Sequence, residues 1–195
     1  MHFAHKLSMK AFPGLRLKTF PVLFASLIML QECIAQITDD FSDGNFSETP
    51  TWYGTSDFIV NADRQLQLSG TAAGTSWLVT DLPDITDGGV EWTFFIRQSF
   101  APSAANFGRI YLSSDQPDLS NSLNGYYLQF GESGSDDAVE LFRQSGTASV
   151  SVCRASTTGI ASSFGIRVKI ARQDPGLWQM FIDYNGGSDF VLVAT

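Results

Sequence analysis

Apolar and polar residues alternate with a period of two from about residue 57 to the end of the chain. Such alternation is typical of β-strands, because successive side chains of a strand point to opposite faces of the sheet. Turns rich in Gly, Pro, Asn and Asp separate the alternating runs. The runs predict strands at 57–60, 65–70, 76–82, 90–100, 107–115, 125–131, 138–144, 149–154, 164–172, 177–183 and 189–194.

These strands predict an all-β domain, since no stretch of about twelve or more residues within 36–195 has the 3.6-residue period of an amphipathic helix. Many short strands joined by polar turns are typical of antiparallel sandwiches and barrels. We interpret the pattern as a two-sheet antiparallel jelly-roll sandwich that spans residues 36–195. The sequence shows no internal repeat, which argues against solenoids and propellers.

Residues 1–35 have a different pattern, which predicts a secretory signal peptide. The uninterrupted apolar run "FPVLFASLIML" at 20–30 is short for a membrane span and suits the hydrophobic region of a signal. Basic residues and no acidic residue precede it, at Lys6, Lys10, Arg16 and Lys18. The small residues Cys33 and Ala35 predict cleavage between Ala35 and Gln36. We therefore expect a protein that is secreted or held at the cell surface.

Other interpretations of this segment stay open. Residues 20–30 could form an uncleaved membrane anchor or a buried helix. Lipidation of Cys33 is less favoured, because the large, charged Glu32 stands where a lipidated cysteine needs a small residue before it. After cleavage, we expect no membrane insertion.

The charge balance changes when the predicted signal is removed. The full chain has 12 basic and 20 acidic residues and a net charge of −8. The signal holds four of the basic residues and one acidic residue, so residues 36–195 have 8 basic and 19 acidic residues and a net charge of −11. Such an acidic surface repels phosphate groups, which argues against nucleic acid and anionic membrane surfaces as partners.

The predicted mature chain also lacks residues that many enzymes need. Both histidines, His2 and His5, lie in the predicted signal, and Cys153 is the one cysteine beyond it. This composition excludes Ser-His-Asp and Cys-His catalysis, His-ligated zinc or copper, and an internal disulfide. Carboxylates, tyrosines and arginines remain as candidate reactive groups.

The loop "GESGSDD" at 131–137 joins two predicted strands within the densest acidic cluster of the domain. Its candidate carboxylates are Asp136, Asp137 and Glu140. Side chains three positions apart on a strand, such as Asp137 and Glu140, point to opposite faces. A glycosidase pair instead needs two carboxyl groups about 5–9.5 Å apart that face one substrate. We interpret the segment as a solvated hairpin loop, with a calcium site as the alternative.

Asp39 and Asp40 begin a second acidic segment, "DDFSDGN", and are the candidate ligands of a structural Ca²⁺. The segment does not have the ligand spacing of an EF-hand, and the alternative is ordinary surface solvation. No other cofactor is predicted.

Four successive strands, at 90–100, 107–115, 125–131 and 138–144, place an unusual set of side chains on the face away from the core. A solvated face is normally rich in Thr, Ser, Lys and Glu. The outward positions here hold Phe95, Arg97, Arg109, Tyr111, Tyr127, Gln129, Glu140, Phe142 and Gln144. If the four strands are neighbours, the rings can stack on sugar C–H faces while the polar groups fix orientation. The alternatives are coverage by another domain or a simple preference of aromatic residues for strands.

Several segments resemble the N-terminal concanavalin-A-like, or laminin-G-like, jelly-roll module of secreted bacterial surface proteins. They are "DDFSDGNFSETPTWYG", "DFIVNADRQLQLSG", "LNGYYLQFGESGSDDAVELFRQSG" and "IRVKIARQDPGLWQMFIDYNGG". The resemblance covers essentially all of 37–195 and implies a fold rather than an activity. Such modules often precede lamin-tail or other β-rich domains.

Two departures from that family affect what the resemblance implies. Family members usually continue beyond "FVLVAT" through strands that close the sandwich, so the resemblance implies a fragment of a longer chain with further domains. The glycanase relatives carry a catalytic carboxylate motif that this sequence does not match. Their activity is therefore not transferred.

Three functional hypotheses follow. The leading one is a non-catalytic secreted module that binds a glycan or a surface protein through the outward aromatic and arginine face. The second is a polysaccharide hydrolase or lyase that uses Tyr111 or Tyr127 as a base beside Arg109. The third is a structural spacer within a larger surface protein.

Overall fold

The protein is all-β in a computed structural model that describes residues 2–3, 7–12, 36–82, 88–156, 159–173 and 176–195, the first two ranges by their backbone alone. Across these ranges no helix occurs that is long and apolar enough to cross a membrane. The strands are β1 (His2–Phe3), β2 (Leu7–Phe12), β3 (Thr38–Asp39), β4 (Tyr53–Gly54), β5 (Phe58–Val60), β6 (Leu66–Leu68), β7 (Leu78–Val79), β8 (Gly89–Gln98), β9 (Gly108–Ser114), β10 (Leu123–Phe130), β11 (Val139–Gly146), β12 (Ala148–Arg154), β13 (Phe164–Gln173), β14 (Leu177–Asp183) and β15 (Val191–Ala194).

The strands form two main antiparallel sheets. The larger sheet has the order β15-β14-β13-β8-β1-β6-β5, with β2 and β3 attached beside β8. The smaller sheet has the order β12-β11-β10-β9, and β4 and β7 form a separate two-stranded ribbon. One hydrophobic cluster spans both main sheets, so the prediction of an all-β antiparallel fold with two packed sheets is confirmed.

The core forms because alternate residues of each long strand are apolar. The buried positions of the larger sheet include Trp92, Phe94, Ile96, Ile166, Val168, Ile170, Met180 and Ile182. The smaller sheet contributes Leu112, Leu128, Phe130, Val139, Leu141 and Cys153. Burial of these side chains is the main favourable contribution to folding.

A smaller cluster of Phe41, Phe58 and Leu66 lies apart from the main core, with Trp52 packed against it. The hairpin of β5 and β6 supplies two of these residues, and its turn is closed by the Asn61 side chain. The predicted hairpin at 57–70 is therefore confirmed.

The turns around β14 also match their sequence patterns. Gly176 has a positive φ of 107° and donates its N–H to the Gln173 carbonyl at 2.7 Å, which closes the turn between β13 and β14. Gly186 has a φ of 74° and closes the next turn through the Asp183 carbonyl at 3.1 Å. Glycine is suited to these positions because it adopts positive φ without steric strain.

The predicted signal peptide lies mostly outside the described residues, which include neither its apolar run at 20–30 nor Ala35. The backbone of β2 pairs with β8, and that of β1 pairs with both β8 and β6. The signal and its cleavage stay predictions.

Candidate functional site

Three aromatic rings lie side by side on the outer face of the smaller sheet. Tyr127 of β10 pairs with Tyr111 of β9 on one side and with Phe142 of β11 on the other. Its ring centre is 5.1 Å from that of Tyr111 and 5.2 Å from that of Phe142, the latter pair stacked at 18°. Alternation explains the common direction of these rings, because Leu128 and Leu141, one position away, are buried in the core. We call Arg109, Tyr111, Tyr127, Gln129, Phe142 and Gln144 the ring face.

Arg109 covers the middle ring. Its guanidinium carbon lies 4.4 Å from the ring centre of Tyr127 and 4.9 Å from that of Phe107. Its Nε donates a hydrogen bond of 3.0 Å to Oε1 of Gln129, which holds the side chain across the sheet. Tyr127 is therefore only 1% exposed, whereas Phe107 is 46% exposed. A ligand on this face would contact Arg109, Phe107 and the half-buried Tyr111 and Phe142, with Tyr127 as their support.

The Tyr111 hydroxyl has a fixed partner. It donates a 2.7 Å hydrogen bond to Oε1 of Gln144, whose amide in turn donates to the Gly146 carbonyl at 2.9 Å. Burial raises the pKa of Tyr111, and the nearby Arg109 charge only partly opposes that rise. A tyrosine with a raised pKa is protonated at neutral pH, so this group is poorly suited to act as a general base.

Two of the predicted ligand-binding residues lie elsewhere. Phe95 and Arg97 belong to β8, which pairs with β13 in the larger sheet, and their side chains lie on that sheet's outer face. Phe95 packs over the backbone of Gly165 and against Gly186. The prediction that the four strands are neighbours with one continuous face is therefore wrong for β8. Alternation predicts the side of a strand on which a residue lies, but not the sheet that the strand joins.

The acidic loop is the turn of the predicted hairpin, since β10 and β11 pair along their whole length. Arg154 of β12 holds the loop: its guanidinium donates to Glu132, to Oε2 of Glu140 at 3.1 Å and to the Asp136 carbonyl at 2.7 Å. Asp137 is buried and accepts the Glu132 N–H at 2.9 Å. Glu140, predicted as a ligand-binding residue, is thus engaged in an ion pair. The carboxylates here stabilise the loop rather than face a common substrate position.

Replacement of Arg154 by glutamine is expected to lower the free energy of unfolding by about 1 kcal/mol, because a partly exposed ion-pair network contributes little more than that. Arg143→Gln, at an exposed position of the neighbouring strand, is the matched control and should change stability by less than about 0.5 kcal/mol. Urea unfolding at low and high salt measures both. A loss for Arg154→Gln that does not shrink in high salt would contradict an electrostatic role.

The predicted calcium ligands have other partners. Oδ1 of Asp39 accepts the Phe41 N–H at 2.9 Å, and Oδ2 accepts the indole N–H of Trp52 at 2.8 Å. Burial raises the pKa of Asp39, although these hydrogen bonds oppose the rise. Oδ1 of Asp40 accepts the Ser42 N–H at 3.0 Å. Within the described ranges no group of three or more His, Cys, Asp or Glu could hold a metal ion, and calcium binding stays a prediction.

No family model matches the chain, and neither the curated proteins nor the solved structures give a match. The resemblance to concanavalin-A-like modules therefore stays a prediction.

A broad cleft of 1310 Å³ is a feature that sequence reasoning missed. Its lining combines β9, the segment 74–82 and inward-facing residues at one end of the sandwich, among them Trp92, Tyr126 and Trp178. The sequence contains one local indication of this cleft, which is Arg172. It follows the buried Ile166, Val168 and Ile170 at two-residue spacing and so places a guanidinium group on an inward-facing position.

Proposed function

We propose that the domain is a non-catalytic, secreted carbohydrate-binding module with a concanavalin-A-like jelly-roll fold. The observation that carries this proposal is the row of Tyr111, Tyr127 and Phe142 on the outer face of the smaller sheet. Tyr127 is covered by Arg109, but the half-buried Tyr111 and Phe142 on either side of it leave aromatic surface for the C–H face of a sugar. The two packed sheets are compatible with a jelly roll, and the sequence resemblance favours that type.

Polar groups on both sides of the ring row suit sugar hydroxyls. Arg109 and Gln129 lie on one side, and Gln144 lies on the other. Guanidinium groups donate hydrogen bonds, while amides both donate and accept them. These groups are already oriented by mutual hydrogen bonds, so little side-chain freedom is lost when a ligand binds.

Phe142→Ala is expected to weaken glycan binding about tenfold or more, because the half-buried Phe142 ring supplies part of the apolar surface. Arg143→Ala is the matched control: it alters the next residue of β11, which points to the opposite face. Glycan-array screening of the unaltered domain selects the probe, and calorimetry then measures both variants. Equal affinity for the Phe142→Ala variant, with its thermal stability retained, would place the site elsewhere.

The enzyme hypothesis has less support than the binding hypothesis. The raised pKa of Tyr111 and the hydrogen bond from its hydroxyl to Gln144 disfavour proton abstraction by this residue. Release of oligosaccharide from a polysaccharide by the purified domain would favour catalysis. The spacer hypothesis predicts no glycan binding and a ring face that is buried against a neighbouring domain.

A further inference from the structure

The inward-facing residues change character at one end of the sandwich. Along β13, the apolar Ile170 is followed two positions later by Arg172, which pairs with Trp178 at the start of β14. On the neighbouring β8, Trp92 pairs with Ile170, which makes it a diagonal neighbour of Arg172. Rings and a guanidinium group therefore replace the aliphatic side chains of the core at this end.

These residues form a contact cluster that extends across both sheets. The rings of Trp92 and Trp178 are stacked with centres 6.0 Å apart. Tyr126, from the smaller sheet, places its ring centre 4.7 Å from that of Trp178. The guanidinium carbon of Arg172 lies 5.7 Å from the Trp178 ring centre. We call Trp92, Tyr126, Arg172 and Trp178 the Trp178 cluster.

The Trp178 cluster lines the 1310 Å³ cleft, together with β9 and the segment 74–82, which adds the indole of Trp77. Pockets for small molecules usually measure about 300–1,000 Å³. A cleft of this size has room for several sugar rings. Its aromatic lining suits the apolar faces of such rings.

Arg172 is the charged group of the lining that lies against the Trp178 ring. Arg172 is exposed and has no ion pair to another described residue, and Arg109 also contributes to the lining. The carboxylates of Asp81 and Asp115 also line the cleft. They accept hydrogen bonds from neutral donors, the Tyr53 hydroxyl at 2.9 Å and the Asn124 N–H at 2.7 Å, so they keep their charge and the lining as a whole has no excess of positive charge. A carboxylate ligand is therefore expected to pair with Arg172 in particular. Guanidinium groups match carboxylate geometry and form strong charge-assisted hydrogen bonds with it.

We propose that this cleft binds a carboxylated oligosaccharide, one built from uronic acid units. The half-buried rings of Trp77 and Tyr126 contact the sugar rings, while the Arg172 guanidinium group donates hydrogen bonds to a carboxylate. The cleft shares Arg109 and Tyr111 with the ring face, whereas Phe142 and Gln144 do not line it.

Calorimetry with hexagalacturonate, and with its methyl ester, tests the proposal on the purified protein. The ester keeps the sugar chain and removes the charge, so it is expected to bind at least about tenfold more weakly. Arg172→Met removes the guanidinium group at an exposed position and is expected to weaken hexagalacturonate binding by a similar factor.

Arg97→Met, at an exposed position on the outer face of the larger sheet, is the matched control for charge. Phe142→Ala distinguishes the cleft from the part of the ring face that does not line it. Both variants should bind hexagalacturonate as the unaltered protein does. Near-ultraviolet circular dichroism checks that each variant is folded. Three results would each overturn the proposal, whatever the outcome of the Phe142→Ala glycan-binding test. They are absence of hexagalacturonate binding, equal affinity for its methyl ester, and unchanged hexagalacturonate binding by the Arg172→Met variant.

Discussion

Tyr127→Ala is expected to lower the free energy of unfolding by about 3–4 kcal/mol, although this residue lies on the outer face of a sheet. Its ring is 1% exposed and is enclosed by Tyr111, Phe142 and the Arg109 guanidinium group. Removal of the ring loses its apolar burial and leaves a void between two other rings. Chemical denaturation followed by circular dichroism measures the loss.

Phe107→Ala is the matched control for this prediction. Phe107 also contacts Arg109 but is 46% exposed, so its removal should cost less than about 1 kcal/mol. The comparison separates a residue that supports the ring face from one that is available to a ligand. If Tyr127→Ala were as stable as Phe107→Ala, the close packing described for Tyr127 would be wrong.

This difference bears on the interpretation of binding experiments. A double variant of Tyr127 and Phe142 could lose binding because the sheet unfolds rather than because a contact is lost. Phe142→Ala alone is the safer probe, since Phe142 is half-buried and lies at one end of the ring row. Stability must therefore be measured before affinity for any variant of this face.

The ring face shows what alternation predicts and what it does not. Tyr111, Tyr127 and Phe142 were assigned to one face by period two alone, and the registers of β9, β10 and β11 confirm that assignment. The exposure of Tyr127 could not be predicted in the same way. It depends on Arg109, which reaches across the sheet from another strand.

Pairing between strands that are distant in the sequence explains the other differences between prediction and structure. Phe95 and Arg97 were placed with the ring face because β8 precedes β9 in the chain, yet β8 pairs with β13, about 70 residues later in the sequence. Arg154 was missed for a similar reason: its partners Glu132 and Glu140 lie in an earlier hairpin. Local patterns carry little information about which distant strands become neighbours, because pairing depends on the packing of the whole domain.

The cleft could be predicted in part. An arginine at an inward-facing position of β13 is visible in the sequence once the alternation of Ile166, Val168 and Ile170 is extended by two residues. The stacking of Trp92 on Trp178 was not visible, since it joins β8 to β14 across β13. A guanidinium group on the apolar side of a strand is thus a local signal, whereas its aromatic surroundings are a property of the fold.

The thiol of Cys153 is expected to react slowly with iodoacetamide while the protein is folded. Cys153 lies among the core residues of β12 and is 7% exposed. Burial, followed by the nearby Glu140 charge, raises the pKa of this thiol to about 11 from an ordinary value of 9.0. Below both values the thiolate population falls about tenfold per unit of pKa, so at pH 8 the native rate should be about 100-fold below the unfolded rate.

The same shift sets the sign of a pH effect on stability. Because the pKa is higher in the folded state, the native protein binds more protons than the unfolded chain between about pH 9 and pH 11. Stability is therefore lost as pH rises through this interval, and Cys153→Ala should lose less of it than the unaltered protein. The reactivity of the thiol itself is measured by iodoacetamide labelling of Cys153 in the presence and absence of urea. Rapid labelling of the native protein at pH 8 would show that the thiol is accessible, and the packing of β12 against the core would then have to be looser than the structure indicates.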